Sequence, residues 1–198
     1  MSNESEIIQA FLQLSEATDN DIVNAITAQL TELFQNPEIL FLLLQIASTN
    51  DNQTVRHYSM VFARRSLYSI YTNIDNIENG ELDYLLPIKD QILNMLINEP
   101  IQILKNAICD IIEIYAGIVI SISTWPELSQ FAMNLLQDQD QTIVALNLLY
   151  RIYMTIPDEE KNEFFIPYAT LSCTSLLSDD INIRLQAIEC LSDVLFEN

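Results

Sequence analysis

The chain has 198 residues, is 49% hydrophobic and carries a formal net charge of −20, from 28 acidic and 8 basic residues. So acidic a surface repels phosphates, which excludes nucleic acid as a partner and favours basic proteins, although an acidic surface without a selective partner fits the charge equally well. The two glycines, Gly80 and Gly117, are too few for the hairpin turns of a strand-rich fold. These numbers favour an all-α protein.

Apolar residues recur at helical spacing along nearly the whole chain, and short polar segments interrupt them. The pattern predicts ten helices that form five consecutive pairs. In chain order, they cover about 5–15, 21–34, 37–47, 53–71, 82–97, 100–120, 126–136, 141–155, 158–177 and 181–196.

Capping residues and prolines mark several of these boundaries. Asp19 or Asn20 precedes the second helix, where a short polar side chain can accept hydrogen bonds from the first backbone N–H groups. Pro100 and Pro126 suit the first turns of the sixth and seventh helices. Pro167 lies inside the ninth helical segment, where a proline is expected to kink or break the helix.

The second helices of the five pairs share a short motif in which an acidic or amide turn precedes aliphatic residues. The intervals between the last motif residues are 32, 49, 39 and 40, and the later ones fit the roughly 40–47 residues of a HEAT-type repeat. Three of these residues are basic, and we expect them to reach the turn of a neighbouring repeat. The five residues are Asn24, Arg56, Lys105, Val144 and Arg184.

The sequence therefore predicts an all-α protein, a right-handed α-solenoid of about five HEAT-type antiparallel helix pairs. We expect residues 1–198 to form a single solenoid domain. Its repeats are predicted to cover about 5–35, 37–72, 81–121, 124–156 and 158–197.

Chemistry-bearing residues are scattered. The three cysteines (Cys109, Cys173 and Cys190) each lie in an apolar helical pattern, which predicts reduced core thiols in a cytosolic or nuclear protein. His57 is the only histidine, and no nucleophile motif or phosphate loop accompanies it. The most apolar stretch, 101–122, contains three charged residues, which argues against membrane insertion. We therefore expect no enzyme activity, no catalytic residues, no cofactor and no metal site.

Three regions carry a resemblance to a known family. The first combines 41–46 (FLLLQI), 54–56 (TVR) and 62–67 (FARRSL), so that an apolar helix precedes an arginine-led helix with a paired arginine. The second is 103–111 (ILKNAICDI), and the third is the tryptophan–proline start at 123–128 (STWPEL). In order and spacing, these regions resemble the importin-beta (karyopherin-beta) nuclear transport receptors, and most strongly the importin-five (importin beta-3) branch. Asn24 and Val144 depart from the basic residue usual in the first and fourth repeats.

The resemblance carries expectations about function. Members of the family are far longer, so the chain would be the N-terminal portion of a receptor. The resemblance implies that the second helices of the first repeats line a concave surface and bind the GTP form of the small GTPase Ran. It also implies basic cargo proteins with nuclear localisation signals, nucleoporins as further partners, and shuttling between cytoplasm and nucleus.

A polar stripe on the sixth helix supplies the candidate contacts. Gln102, Asn106, Asp110, Glu113 and Gly117 recur at helical spacing on a helix that is otherwise apolar. By the resemblance, Asp110 and Glu113, together with Asn106, are candidate Ran contacts. A merely solvated face is the alternative.

Arg64 and Arg65 are adjacent in a chain with only eight basic residues. They could contact an acidic partner or clamp an internal carboxylate, and a pair of structural salt bridges is the alternative. A different class of function, a HEAT scaffold subunit of a multi-protein complex such as a phosphatase scaffold, fits the periodicity equally well. The uneven intervals of 32 and 49 residues speak against it, because such scaffolds have regular repeats.

Overall fold

The computed structural model describes residues 4–33, 38–74, 80–155 and 158–196. Within these ranges there are ten α-helices and no strand. The helices are α1 (Glu4–Glu16), α2 (Asn20–Leu33), α3 (Glu38–Thr49), α4 (Gln53–Tyr71), α5 (Lys89–Asn98), α6 (Gln102–Ile122), α7 (Pro126–Gln137), α8 (Thr142–Ile152), α9 (Asp158–Ser175) and α10 (Ile181–Phe196). Short 3-10 helices occupy Asp83–Ile88, Gln139–Gln141 and Tyr153–Thr155.

The predicted all-α fold of HEAT-type helix pairs is confirmed, and most predicted boundaries lie within two residues of the observed ones. The start of the third pair differs, because the expected single helix over 82–97 is divided into the 3-10 segment Asp83–Ile88 and α5. Pro87 lies within that 3-10 segment. A proline has no backbone N–H donor, and its ring clashes with the carbonyl group four residues before it. A single regular α-helix over 82–97 is therefore disrupted at this position.

Helix α9 shows the opposite outcome at Pro167. Of the two expected outcomes, a break is wrong, because the helix is continuous from Asp158 to Ser175 with the proline inside it. A kink at Pro167 stays a prediction. Helices α7, α8 and α10 all contact α9. This packing outweighs the loss of one hydrogen bond, which in an isolated helix would cost about 3 kcal/mol.

The chain divides into two compact units, Met1–Ile114 and Tyr115–Asn198. In the first unit, α3 pairs with α4, and α1 contacts both α2 and α4. The buried ring of Phe11 on α1 stacks on two rings of α4, with its centroid 5.9 Å from that of Tyr58 and 5.4 Å from that of Phe62. Aromatic stacking thus joins the first repeat to the second helix of the second repeat.

In the second unit, α7 pairs with α8 and α9 pairs with α10. First helices contact first helices (α7 and α9), and second helices contact second helices (α8 and α10), which is the stacking of a HEAT-type array. The Sγ atom of Cys190 on α10 donates to the Leu146 carbonyl oxygen on α8 at 3.4 Å. Trp125 is only 4% exposed and meets the Tyr115 ring edge-on at 5.1 Å, so it anchors the fourth pair in the core.

The cysteines only partly follow the prediction. All three are free thiols, and Cys109 and Cys190 are buried. Cys173 is exposed, so its assignment to the core was wrong. It lies on a face of α9 that the neighbouring helices leave uncovered, although the local pattern is apolar. In the described part of the chain, no helix combines the length and apolarity needed to cross a bilayer.

Candidate partner-binding site

A groove of about 480 Å³ lies between α4 and α6 in the first unit. These are the second helices of the second and third repeats. On α4, the lining residues are spaced by three or four positions, which places them on one face of the helix. The groove is lined by His57, Met60, Val61, Arg64, Arg65 and Tyr68 from α4, and by Ala107 and Asp110 from α6.

The groove has an apolar floor and a charged, aromatic rim. Met60 is buried, and Val61 and Ala107 are half-buried, so aliphatic atoms form the base. Arg65 and Tyr68 are exposed at the rim, with Tyr68 at 56%. An exposed aromatic ring beside a cation is typical of surfaces that bind protein partners.

An ion pair crosses this groove. The Nη1 atom of Arg64 lies 3.3 Å from Oδ2 of Asp110, which joins α4 to α6. Because the two side chains remain 54% and 23% exposed, water screens the pair and its contribution to stability is about 0–1 kcal/mol. Both side chains therefore remain accessible to a partner at little structural cost.

Arg65 is held in a different way from its neighbour. Its guanidinium carbon lies 5.2 Å from the ring centroid of Phe62, in a cation–π arrangement. Phe62 is itself buried beneath Phe11. The two adjacent arginines therefore have different partners: Arg64 contacts a carboxylate, and Arg65 contacts an aromatic ring.

The polar stripe of α6 has the predicted pattern, but it is not a fully solvated face. Gln102, Asn106, Asp110, Glu113 and Gly117 are all half-buried, between fully buried positions such as Leu104, Ile108 and Ile111. The Gln102 side-chain amide donates to Oδ1 of Asn106 at 2.9 Å. Of the five proposed site residues, the structure brings Arg64, Arg65 and Asp110 together at one groove, and Asn106 and Glu113 follow Asp110 along α6.

Sequence reasoning missed the main buried ion pair near this site. Nη2 of Arg56 lies 2.9 Å from Oε1 of Glu99, with side-chain exposures of 15% and 3%. The same Glu99 oxygen accepts the Ile101 backbone N–H at 2.9 Å, directly before α6. The basic motif residue of the second repeat was expected to reach a neighbouring turn, and Arg56 does so. Its partner could not be named, because nothing in the sequence marked Glu99 as buried.

Arg184 departs from this expectation. Its Nη1 atom donates to the carbonyl oxygens of Ser178 at 2.6 Å and Asp179 at 3.0 Å, which belong to the turn of its own repeat. Carbonyl groups beyond the end of a helix lack helical partners, so a nearby arginine satisfies them.

His57 is exposed on α4. Among the described residues, no group of three or more His, Cys, Asp or Glu could hold a metal ion.

No protein-family model matches the chain. A curated relative, the "Probable importin subunit beta-4" of Schizosaccharomyces pombe, is 26% identical over 159 residues, or 79% of this chain and 14% of the relative. Among solved structures, Kap121p bound to Nup53p matches with a TM-score of 0.69 and 17% identity, covering 100% of this chain and 19% of that one. Unbound Kap121p matches with a TM-score of 0.69 and 19% identity, covering 98% and 18% of the two chains.

The chain thus spans less than a fifth of the length of these relatives. The similarity to this importin subunit in sequence, and to Kap121p in fold, agrees with the resemblance to the importin-beta (karyopherin-beta) family. The importin-five branch remains a prediction.

Proposed function

We propose that the chain forms part of a nuclear transport receptor and binds the GTP form of Ran through the second helices α4 and α6. The contact surface consists of the groove between these helices and the polar stripe that continues along α6. Asp110, Glu113 and Asn106 supply polar contacts, and Arg64 and Arg65 line the opposite wall.

The observation that carries the proposal is the ion pair between Arg64 and Asp110. These residues come from two of the three regions that resemble the importin-beta family, and they are 46 positions apart in sequence. Their meeting across an accessible groove places both regions on one face of the helix array. A weak, solvent-screened pair can exchange its internal partner for an external one at small cost.

The net charge supports a further role in the transport of basic cargo. An acidic receptor attracts proteins with nuclear localisation signals, because opposite charges raise the encounter rate of the two proteins. In the complete receptor, Ran in its GTP form would compete with this cargo and release it. The proposal implies shuttling between cytoplasm and nucleus.

Nucleoporins are proposed as a third class of partner. Kap121p, whose fold this chain shares, has been crystallised bound to Nup53p. Because the chain corresponds to only 19% of Kap121p, a nucleoporin site within it is a proposal separate from Ran binding.

A pull-down with nucleotide-locked Ran tests the central proposal. The immobilised chain is incubated with Ran loaded with a non-hydrolysable GTP analogue or with GDP, and the retained fraction is compared. We expect retention of the GTP form only. The corresponding full-length receptor is tested in parallel, because a fragment forfeits contacts made by later repeats.

Retention of neither form by the chain or by the full receptor would contradict the proposal and favour the HEAT scaffold alternative. Equal retention of both forms would also contradict it, because a transport receptor of this kind must distinguish the two nucleotide states.

A further inference from the structure

The charge on α4 is opposite to that of the rest of the chain. The helix contains Arg56, Arg64 and Arg65 and no acidic residue, in a protein whose net charge is −20. Three of the eight basic residues of the chain therefore lie on one helix of the proposed partner face.

The three arginines differ in how far their charges are neutralised by carboxylates. Arg56 forms an ion pair with the buried carboxylate of Glu99, and Arg64 forms a more exposed ion pair with Asp110. Arg65 rests on the ring of Phe62, and within the described ranges no carboxylate lies within ion-pair distance of it. The structure thus fixes the position of one exposed guanidinium at the rim without neutralising it.

The floor beside this cation is apolar and concave. Met60, Val61 and Ala107 present aliphatic atoms, and Tyr68 stands at the rim with more than half of its surface exposed. A volume of about 480 Å³ is sufficient for a large side chain and the backbone on either side of it. The groove therefore combines an apolar receptor site with a fixed positive charge.

We propose that this groove binds a short segment of a partner protein in which carboxylates flank a large apolar side chain. One carboxylate accepts hydrogen bonds from the Arg65 guanidinium, and the apolar side chain lies on Met60, Val61 and Ala107. The inference rests on the proposed function, because it assigns a chemistry to the partner at the same second-helix face. It adds that the contact at this groove is acidic, opposite in sign to the basic cargo.

The charge of the whole chain restricts the partner further. A polyanion such as a nucleic acid or a strongly acidic protein is repelled by the remaining surface. A single acidic–apolar segment on a neutral or basic protein is attracted by the local positive charge of Arg65, and the rest of that protein is not repelled by the negative charge of the chain. Arg65 and the net charge therefore select together for such a segment.

The test is a titration of the ¹⁵N-labelled chain with a synthetic peptide, Gly-Ser-Asp-Phe-Asp-Ser-Gly, followed by NMR. We expect saturable shifts at the Arg65 Nε–H signal and at amides of α4 and α6, with a Kd on the order of 0.1–1 mM. Replacing both aspartates of the peptide by asparagine, or the phenylalanine by serine, should weaken binding at least about fivefold.

Two protein variants complete the test. Arg65→Gln should weaken peptide binding by at least about fivefold, because the charge is lost while the length is largely retained. Lys161→Gln is the matched control, because Lys161 also lies over an aromatic ring, that of Tyr153 at 5.7 Å, but in the other unit. It should leave binding unchanged. Circular dichroism verifies that both variants are folded.

Absence of saturable shifts up to about 5 mM peptide would overturn the inference, as would equal binding of the asparagine peptide or no effect of Arg65→Gln. The titration contains no Ran, so its outcome is independent of the pull-down. GTP-dependent Ran retention without peptide binding removes this inference and leaves the proposed function standing. Peptide binding without Ran retention removes the proposed function and leaves this inference standing.

Discussion

Arg56 of α4 and Glu99, which directly follows α5, form an ion pair that is almost completely withdrawn from water. Nη2 and Oε1 lie 2.9 Å apart, and the side chains are 15% and 3% exposed. The carboxylate of Glu99 also accepts the backbone N–H of Ile101. One carboxylate therefore joins the second repeat to the beginning of the second helix of the third repeat.

Removal of Glu99 should be strongly destabilising. Glu99→Ala leaves the Arg56 guanidinium buried without its counter-charge, and we expect a loss of about 2–4 kcal/mol in the free energy of unfolding. Asp110→Ala is the matched control, because its ion pair with Arg64 is accessible to water, and it should cost at most about 1 kcal/mol. Urea denaturation followed by circular dichroism measures both. Equal losses would contradict the distinction between a buried pair and an accessible one.

The Trp125 side chain is expected to hold the fourth helix pair in place. Trp125→Ala removes a buried indole and its edge-on contact with Tyr115, so the second unit should lose about 3–5 kcal/mol. Trp125→Phe retains an aromatic ring and should cost clearly less. Thermal unfolding monitored by far-ultraviolet circular dichroism distinguishes the two. An alanine variant as stable as the phenylalanine variant would show that the ring does not anchor this pair.

Asn52 caps α4, which carries most of the candidate groove. Its Oδ1 atom accepts the backbone N–H groups of Thr54 at 2.9 Å and Val55 at 3.2 Å. We expect Asn52→Ala to cost about 1 kcal/mol, while Asn52→Asp retains the acceptor and costs little. Urea midpoints of the two variants provide the measurement. A loss of equal size in both would assign the effect to the loop rather than to the cap.

Tyr84 gives the protein a weakness at alkaline pH. Burial raises the pKa of its phenol above the ordinary value of 10.0, because the phenolate is poorly solvated there. The unfolded chain therefore loses this proton at lower pH than the folded chain. The contribution of Tyr84 to stability is complete below the ordinary pKa and is lost as the pH rises through the folded-state pKa.

Tyr84→Phe should remove this part of the alkaline loss. The difference in stability between about pH 8 and about pH 10.5 is expected to be smaller in the variant than in the parent protein. Urea denaturation at the two pH values measures it. The same loss in both proteins would exclude Tyr84 as its source.

The helices could be predicted from the sequence because their signals are local. Helix α4 begins at Gln53 and ends at Tyr71, as the apolar period and the preceding polar turn indicated. Pro87 and Pro167 show the limit of this reasoning, since the same residue type disrupts one helix start and is accommodated inside another helix. The outcome depends on packing against neighbouring helices, which no local pattern records.

The candidate site residues could be chosen from the sequence, but their contacts could not be predicted. Arg64, Arg65 and Asp110 were chosen from charge and resemblance, and the structure brings them to one groove. That Arg64 meets Asp110 while Arg65 meets Phe62 depends on the rotation of α4 relative to α6, which is a tertiary property. Glu99 was overlooked for the same reason, because a glutamate in a polar turn is normally exposed.

Hydrogen exchange of the chain with and without Ran tests most directly the claim that the second-helix face binds the partner. With Ran in its GTP form, we expect slowed exchange in α4 and α6 and unchanged exchange in α3 and α5, the first helices of the same two repeats. Ran in its GDP form should cause no slowing. Protection confined to α3 and α5, or protection that is identical with both nucleotides, would contradict it.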